Sequence, residues 1–305
     1  MSESAGPGTP TPLFSVVIPT YNRAAKLQRA LESLAGQTCR DFEVLVCDDG
    51  SDDGTREVVA AFADRFQLVY LWEKNWGGPA RPRNRGIAVA RGEWVCFLDA
   101  DDWWYPKKLE TVLAKLGVAD LIYHDFDVQG DSGPHQVGKR SRQLKPPVFV
   151  DLMTVGCSLV TSSVCVRRSL LEKAGGFAEE RELIAIEDYD LWLRISRLTE
   201  NFLHIPGPLG VYWVDDANIS TFSEKYISRE INLSGRYLGY LPPRERLEAE
   251  RLLAYKIGIA KKYLGAFSES RVFFRKAMQS QRGKIRLYAR IYFVLSLLKS
   301  RYTIP

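Results

Sequence analysis

Short, continuous apolar runs alternate with segments of helical spacing through the first 125 residues, and this alternation restricts the possible folds most. The runs are "FSVVIPTY" (14–21), "FEVLVCDDGS" (42–51), "LVYLWE" (68–73), "EWVCFLDADD" (93–102) and "DLIYHDF" (120–126). Between the first two, "RAAKLQRALESLAGQ" (23–37) repeats apolar residues at Leu27, Ala30, Leu31 and Leu34. Val58, Val59 and Phe62 mark a second helix, "RPRNRGIAVARG" a third ending at Gly92, and "PKKLETVLAKL" a fourth. A strand that is apolar at successive positions is buried on both faces, and helices crossing between parallel strands provide that cover. The expected fold is therefore α/β, with a mostly parallel central sheet flanked by helices.

After Val128 the chain turns polar to Pro147, which reads as a loop or hairpin. "CSLVTSSVCVRRSLLEKAGGF" (157–177) reads as a strand leading into a helix, and "EDYDLWLRISRL" (187–198) as an amphipathic helix with acids at its start. "NFLHI" and "LGVYWV" read as two closing strands, and from about Tyr226 the pattern is helical. The expected organisation is a disordered leader over 1–12, a body over 13–222 in two halves (about 13–125 and 126–222), and a helical extension over 223–305. The leader, "MSESAGPGTPTP", is small, polar and Pro-rich and lacks the apolar core of a signal peptide. Five cysteines (Cys39, Cys47, Cys96, Cys157, Cys165) have no metal-ligand spacing, and Cys47 and Cys96 sit in apolar runs as small hydrophobes. A reducing compartment is expected from this usage, with the protein cytoplasmic.

The net charge of +5 conceals a division. From Arg251 onward, 13 Lys and Arg face a single acid, Glu269, a balance of +12, whereas the first 250 residues carry −7. "LYARIYFVLSLL" (287–298) is too short to span a bilayer and is flanked by Lys284, Arg286, Arg290, Lys299 and Arg301. Such basic amphipathic helices lie on an anionic membrane, or pack their apolar stripes on the body or a second copy; the charge favours the membrane's inner face. Nucleic acid is not an expected partner, since no binding motif accompanies the charge.

In open α/β sheets, ligands sit at the carboxyl ends of the strands. Those ends carry Pro19-Thr20-Tyr21, Asp48-Asp49-Gly50-Ser51 and Asp99-Ala100-Asp101-Asp102. The crowded acids of "FLDADDWW" repel one another, so a solvated turn or a divalent cation must relieve them. Tyr21 offers a ring to a nucleobase, and Asp49 an acceptor for base N–H or ribose hydroxyls. No GxGxxG or GxxxxGK[ST] motif is present. In "GGPARPRNRG", Arg81, Arg83 and Arg85 could meet phosphate or pair with carboxylates. Singly, each piece reads more readily as a turn, a helix cap or packing. Their recurrence at equivalent strand ends favours a ligand site.

The stretches "SVVIPTYNRAAKLQRALESLAGQTCRDFEVLVCDDGSDDGT", "PRNRGIAVARGEWVCFLDADDWWYPKKLE" and "EDYDLWLR", in this order, resemble family 2 glycosyltransferases of the GT-A fold over about 14–220. The resemblance implies a GT-A domain over 13–222, its first half binding a nucleotide sugar and its second an acceptor. It implies inverting transfer from a nucleoside diphosphate sugar, expected to be UDP-linked, to a hydroxyl of a glycan or lipid-linked acceptor. Cell-surface polysaccharide or glycolipid synthesis is the corresponding setting. By motif, Pro19, Tyr21 and Asp49 match nucleoside-binding positions, and Arg83 the arginine near donor or diphosphate. Asp99 and Asp101 match the DxD-type element, with Asp101 the direct ligand of Mn²⁺ or Mg²⁺. Asp188 matches the general base, with Glu187 beside it. Near "VYWVDDANIS" many relatives carry a His where this chain has Asp215 or its neighbour, and Asp215 could substitute as an oxygen ligand.

Two other readings compete. A sugar-1-phosphate nucleotidyltransferase would need a Gly-rich basic loop after the first strand, which "PTYNRAAK" is not. A non-catalytic nucleotide-sugar or glycan-binding module would keep the same nucleotide contacts. Trp103 and Trp104 either stack on a sugar or pack in the core, and His124, His135 and His204, without ligand spacing, are expected to be structural.

Overall fold

The computed structural model describes residues 11–131, 133–134, 138–214 and 222–300, and its chain divides into two compact units. The described residues up to Gln143, with Ser158–Phe177 and 201–214, form the first; Leu144–Cys157, Ala178–Glu200 and 222–300 form the second.

Among the described residues, the first unit is built on a nine-stranded sheet. Its strands are β1 (Phe14–Thr20), β2 (Phe42–Asp48), β3 (Gln67–Trp72), β4 (Trp94–Phe97), β5 (Trp103–Trp104), β6 (Leu121–Gly130), β7 (Gly133–Pro134), β8 (Cys165–Arg167) and β9 (Phe202–Val214). The order is β3-β2-β1-β4-β8-β6-β9-β5, with β7 paired to β6 as a hairpin, one of the two forms expected there. The first four strands are parallel; β8 then runs antiparallel to both neighbours, and β6 and β9 are parallel. All seven residues of β1 and of β2 are buried, as their continuous apolar character requires. Helices α1 (Ala24–Ala35), α2 (Thr55–Ala60), α3 (Ala80–Val89), α4 (Lys108–Leu113) and α6 (Arg168–Ala174) cover the sheet; α5 (Val148–Val155) belongs to the second unit. The N-cap residue Arg23 makes no side-chain cap at the start of α1, and packing of Leu27, Ala30, Leu31 and Leu34 holds the helix, at roughly 1.5–3 kcal/mol for each fully buried Leu.

Three expectations from sequence are corrected. "NFLHI" and "LGVYWV" are one strand, β9, because Asp125 of β6 bridges the interruption. Pro206 has no N–H to donate to the ladder, and the neighbouring Gly207 N–H donates to Asp125 Oδ2 at 3.0 Å across a two-residue register shift. The apolar run 93–102 does not stay extended: β4 ends at Phe97, and the acids lie in the turn that follows. Cys96 is not a plain thiol, since it faces Cys165 across β4 and β8 and forms a disulfide with it. Cys47 does behave as a buried hydrophobe, its thiol pushed up to about 12 by burial.

Lys108 is fully buried, 3.5 Å over the Trp104 ring, and its Nζ donates to Cys165 Sγ at 2.8 Å. Burial drives its pKa well below the ordinary amine value. Between that lowered value and the unfolded one near 10.4, the unfolded chain binds the extra proton, so the lysine costs more stability as pH falls. Lys108→Met should therefore raise the melting temperature at neutral pH by several degrees and flatten its fall from pH 10 to 7, read by calorimetry. An unchanged pH profile would mean that Lys108 stays charged.

The second unit is helical. With α5 it holds α7 (Glu187–Ile195), α8 (Glu224–Tyr237), α9 (Pro243–Tyr263), α10 (Phe267–Ala277) and α11 (Gly283–Ser300). Ser223 caps α8, its Oγ accepting the Tyr226 N–H at 3.1 Å. Leu252, Phe274, Ile285 and Ala289 close a core among α9, α10 and α11. A Cβ on Gly258 would stand 2.7 Å from the Phe274 ring, so glycine there lets α9 and α10 approach. No helix among the described residues is long and apolar enough to cross a membrane.

Candidate functional site

Because β1, β2 and β4 are parallel neighbours, their carboxyl ends open on one edge of the sheet. Pro19 lies inside β1, opposite Cys47, and Tyr21 follows the strand, 47% exposed. The next residue, Asn22, has φ 49°, a left-handed conformation that Asn tolerates. Its Oδ1 accepts the Asp52 N–H at 3.0 Å and its N–H donates to Ser51 Oγ at 2.9 Å, tying the β1 and β2 ends together.

The acids of "DDGSDDGT" have separate tasks. Asp48 is fully buried and accepts from the Ser51 N–H and hydroxyl and from the Tyr70 hydroxyl. Asp49 accepts the Trp76 N–H at 3.0 Å on Oδ1 and the Gly77 N–H at 3.1 Å on Oδ2, fixing the loop before α3. Each Asp49 oxygen keeps a second lone pair for a ligand. Gly50, at φ 89°, allows this loop its approach, because a Cβ would stand 2.6 Å from the Asn75 nitrogen. Asp53 accepts the Ala24 N–H and the Thr55 N–H and hydroxyl. Burial raises its pKa, but these hydrogen bonds outweigh it and hold the carboxyl below the usual range.

Two arginine–carboxylate pairs occupy the turn after β4. Arg83, 4% exposed on α3, donates to Asp99 Oδ1 at 2.6 Å with its guanidinium 5.1 Å over the Phe177 ring. Arg23 pairs with the Asp101 carboxylate, and Arg29 donates to the Asp101 carbonyl at 2.8 Å while lying between the Trp103 and Trp213 rings. Burial first, then the Asp99 charge, raises the Asp101 pKa against the opposing effect of Arg23. Arg81 and Arg85 pair instead with Glu73.

Asp102 does more than start a turn. It is 1% exposed, and its Oδ1 accepts the Trp213 N–H at 2.9 Å, holding β9. Burial, followed by Asp101 and Asp99, pushes its pKa well above the carboxylate range. Trp104 is core, its Nε1 donating to the Ser162 carbonyl at 2.8 Å. His204 pairs with Asp125 at 2.8 Å, and His124 is buried and held neutral, its pKa lowered to about 3 by burial and by Lys108.

Glu187 and Asp188 open α7 and belong to the second unit. Glu187 is 4% exposed, and the half-buried Asp188 accepts its own neighbour's N–H, that of Tyr189, at 2.6 Å. The third acid of the turn, Asp190, is structural: it pairs with Arg194 at 2.7 Å and accepts the Tyr237 hydroxyl at 2.7 Å. Asp215 and His135 lie outside the described residues.

Sequence reasoning missed Arg23 and Arg29. A signal existed at Arg23, which occupies the N-cap of α1, where a helix dipole disfavours a cation unless a carboxylate answers it. No group of three or more His, Cys, Asp and Glu side chains that could hold a metal ion occurs among the described residues. Two carboxylates facing one edge still suit Mg²⁺ or Mn²⁺, which binds through one or two carboxylates and completes its shell with phosphate oxygens and water.

The family model "Glycosyl transferase family 2" matches residues 15–173. An uncharacterised glycosyltransferase of Rickettsia typhi is 32% identical over 197 residues, covering 63% of this chain and 61% of that protein. The chain thus spans about three fifths of that relative's length. The amylovoran biosynthesis glycosyltransferase AmsB of Erwinia amylovora is 29% identical over 280 residues, covering 86% of this chain and 89% of its own. Among solved structures, residues 1–349 of S. aureus TarS in complex with UDP-GlcNAc superpose with a TM-score of 0.65 at 21% identity, over 93% of this chain and 88% of that one. The mannosyltransferase PcManGT of Pyrobaculum calidifontis, in complex with GDP-Man and Mn²⁺, gives 0.58 at 20% identity, over 97% and 89%. Likeness at this level establishes the shared GT-A fold.

Proposed function

The chain belongs to glycosyl transferase family 2, and from that premise we propose that it is an inverting, metal-dependent hexosyltransferase. It moves a sugar from a nucleoside diphosphate donor, UDP-linked in this reading, to a hydroxyl of a glycan or lipid-linked acceptor. Cell-surface polysaccharide or glycolipid synthesis is its setting, in keeping with the naming of AmsB. The observation that carries the proposal is the gathering of Tyr21, Asp49, Arg83–Asp99 and Arg23–Asp101 at one sheet edge.

In this reading the GT-A domain covers 13–222, with 13–125 serving the donor. The Tyr21 ring stacks on the base, Pro19 shapes the strand end beside it, and Asp49 accepts hydrogen bonds from the nucleoside. Asp99 and Asp101 would hold Mn²⁺ or Mg²⁺, which neutralises the charge of the departing diphosphate as a Lewis acid. Arg23 and Arg83, which balance these carboxylates here, would turn to diphosphate oxygens as a cation takes Asp99 and Asp101. Asp188, supported by Glu187, takes the proton of the acceptor hydroxyl as it attacks the anomeric carbon. One base on the face opposite the leaving group gives single displacement, hence inversion. The second half of the domain, 126–222, serves the acceptor.

A thermal-shift panel of UDP, GDP and dTDP sugars, each with and without Mn²⁺, tests the donor assignment. A UDP sugar with Mn²⁺ should raise the melting temperature most, by about 2.7 kcal/mol of stabilisation at a hundred times its Kd. Stabilisation by none of the donors would reject the reading. Donor binding without release of nucleoside diphosphate on any acceptor would make the protein a binding module.

A further inference from the structure

We infer that α11 is a membrane-docking helix, which seats its outward apolar stripe on an anionic lipid surface. This stands whether or not the transferase reading holds. The helix carries apolar residues on two opposite faces. On one, Ile285, Ala289 and Phe293 pack into the core of the second unit. On the other, Leu287, Tyr288, Ile291, Val294, Leu295 and Leu298 are each between 40 and 55% exposed. Their spacing, at steps of one, three, four and seven residues, lays them in one stripe along about three turns of helix. An exposed stripe of this kind marks an interaction surface.

Charge decides what covers it. Lys284, Arg286 and Arg290 border the stripe, and the chain has no acidic residue after Glu269. Elsewhere in the unit cations find carboxylates: Lys276 pairs with Glu250, and Lys261 with Glu224 and Glu269. Lys284, Arg286 and Arg290 pair with no carboxylate among the described residues. A two-fold contact between copies would set the same patch against itself and oppose these cations without an acid to offset them. Anionic headgroups supply the missing charge, while acyl chains accept the stripe. A basic, apolar-striped helix that cannot span a bilayer lies in its interface.

Co-sedimentation of the full-length protein with vesicles tests this. Phosphatidylcholine vesicles with about one third phosphatidylglycerol should carry the protein down, pure phosphatidylcholine should not, and added salt should release it. Arg286→Glu with Arg290→Glu, and separately Ile291→Glu, should each weaken binding by more than about tenfold without altering the melting temperature. Should either fail to fold, Leu298→Ser, a milder change at the same stripe, should still weaken binding measurably. The inference is overturned if anionic vesicles leave the protein in solution, or if the folded variants sediment like the wild type. It is equally overturned if Ile291→Glu abolishes a dimer seen by analytical ultracentrifugation while vesicle binding is absent. Tighter binding to RNA than to the vesicles would overturn it as well.

Discussion

Asp188→Asn should lower kcat by about 10²- to 10⁴-fold while leaving donor affinity and melting temperature nearly unchanged. An asparagine keeps an oxygen able to accept the Tyr189 N–H, so the helix start survives. It cannot take a proton from an acceptor hydroxyl. The side chain is half-buried, and asparagine matches it in size. Asp190→Asn should behave in the opposite sense. It breaks a buried pair with Arg194 and weakens the bond from Tyr237, so stability falls, by up to about 3 kcal/mol, with a smaller direct effect on chemistry. Single-turnover rates on saturating donor, with thermal shifts measured in parallel, separate the two. If Asp188→Asn retains turnover within a few-fold of wild type, the base lies elsewhere, and Glu187→Gln is the next variant to assay.

Asp101→Asn should lower kcat/KM by at least about 10²-fold and abolish the extra stabilisation that Mn²⁺ adds to bound donor, because Lewis-acid neutralisation of the leaving group contributes several kcal/mol. Asp99→Asn should follow in the same direction, and it also leaves the buried Arg83 without its carboxylate. Asp102 is the internal comparison one residue along. It is buried, its pKa raised well above the carboxylate range by that burial, and committed to the Trp213 N–H. Asp102→Asn preserves that acceptor and should leave Mn²⁺ dependence intact. Equal losses in Asp101→Asn and Asp102→Asn, at equal stability, would remove the basis for distinguishing a metal ligand from a structural acid in this turn.

The two comparisons indicate what could be read along the chain. That "FLDADD" ends a buried strand was legible, because Phe97 and Leu98 continue an apolar run and the acids cannot. That its three carboxylates differ was only partly legible. Asp101 draws Arg23 from 78 positions away, and Asp102 draws the Trp213 N–H from 111 positions away. Likewise, β9 reads as two strands because Pro206-Gly207 is a breaker locally. A carboxylate on the neighbouring strand makes the missing ladder bond, and no local signal announces it.

Burial on both faces is a property of consecutive residues, and helical spacing a property of a dozen, so sequence alone determined the α/β alternation, the carboxyl-edge location of Tyr21, Asp49, Asp99 and Asp101, and the basic helical end. The tertiary structure alone decided which acids meet an arginine and which are absorbed into the frame, since a buried carboxylate depends on whatever partner packing brings to it. It also decided that α11 turns one apolar face inward and leaves the other open, because two faces of similar hydropathy compete for a core that has room for one.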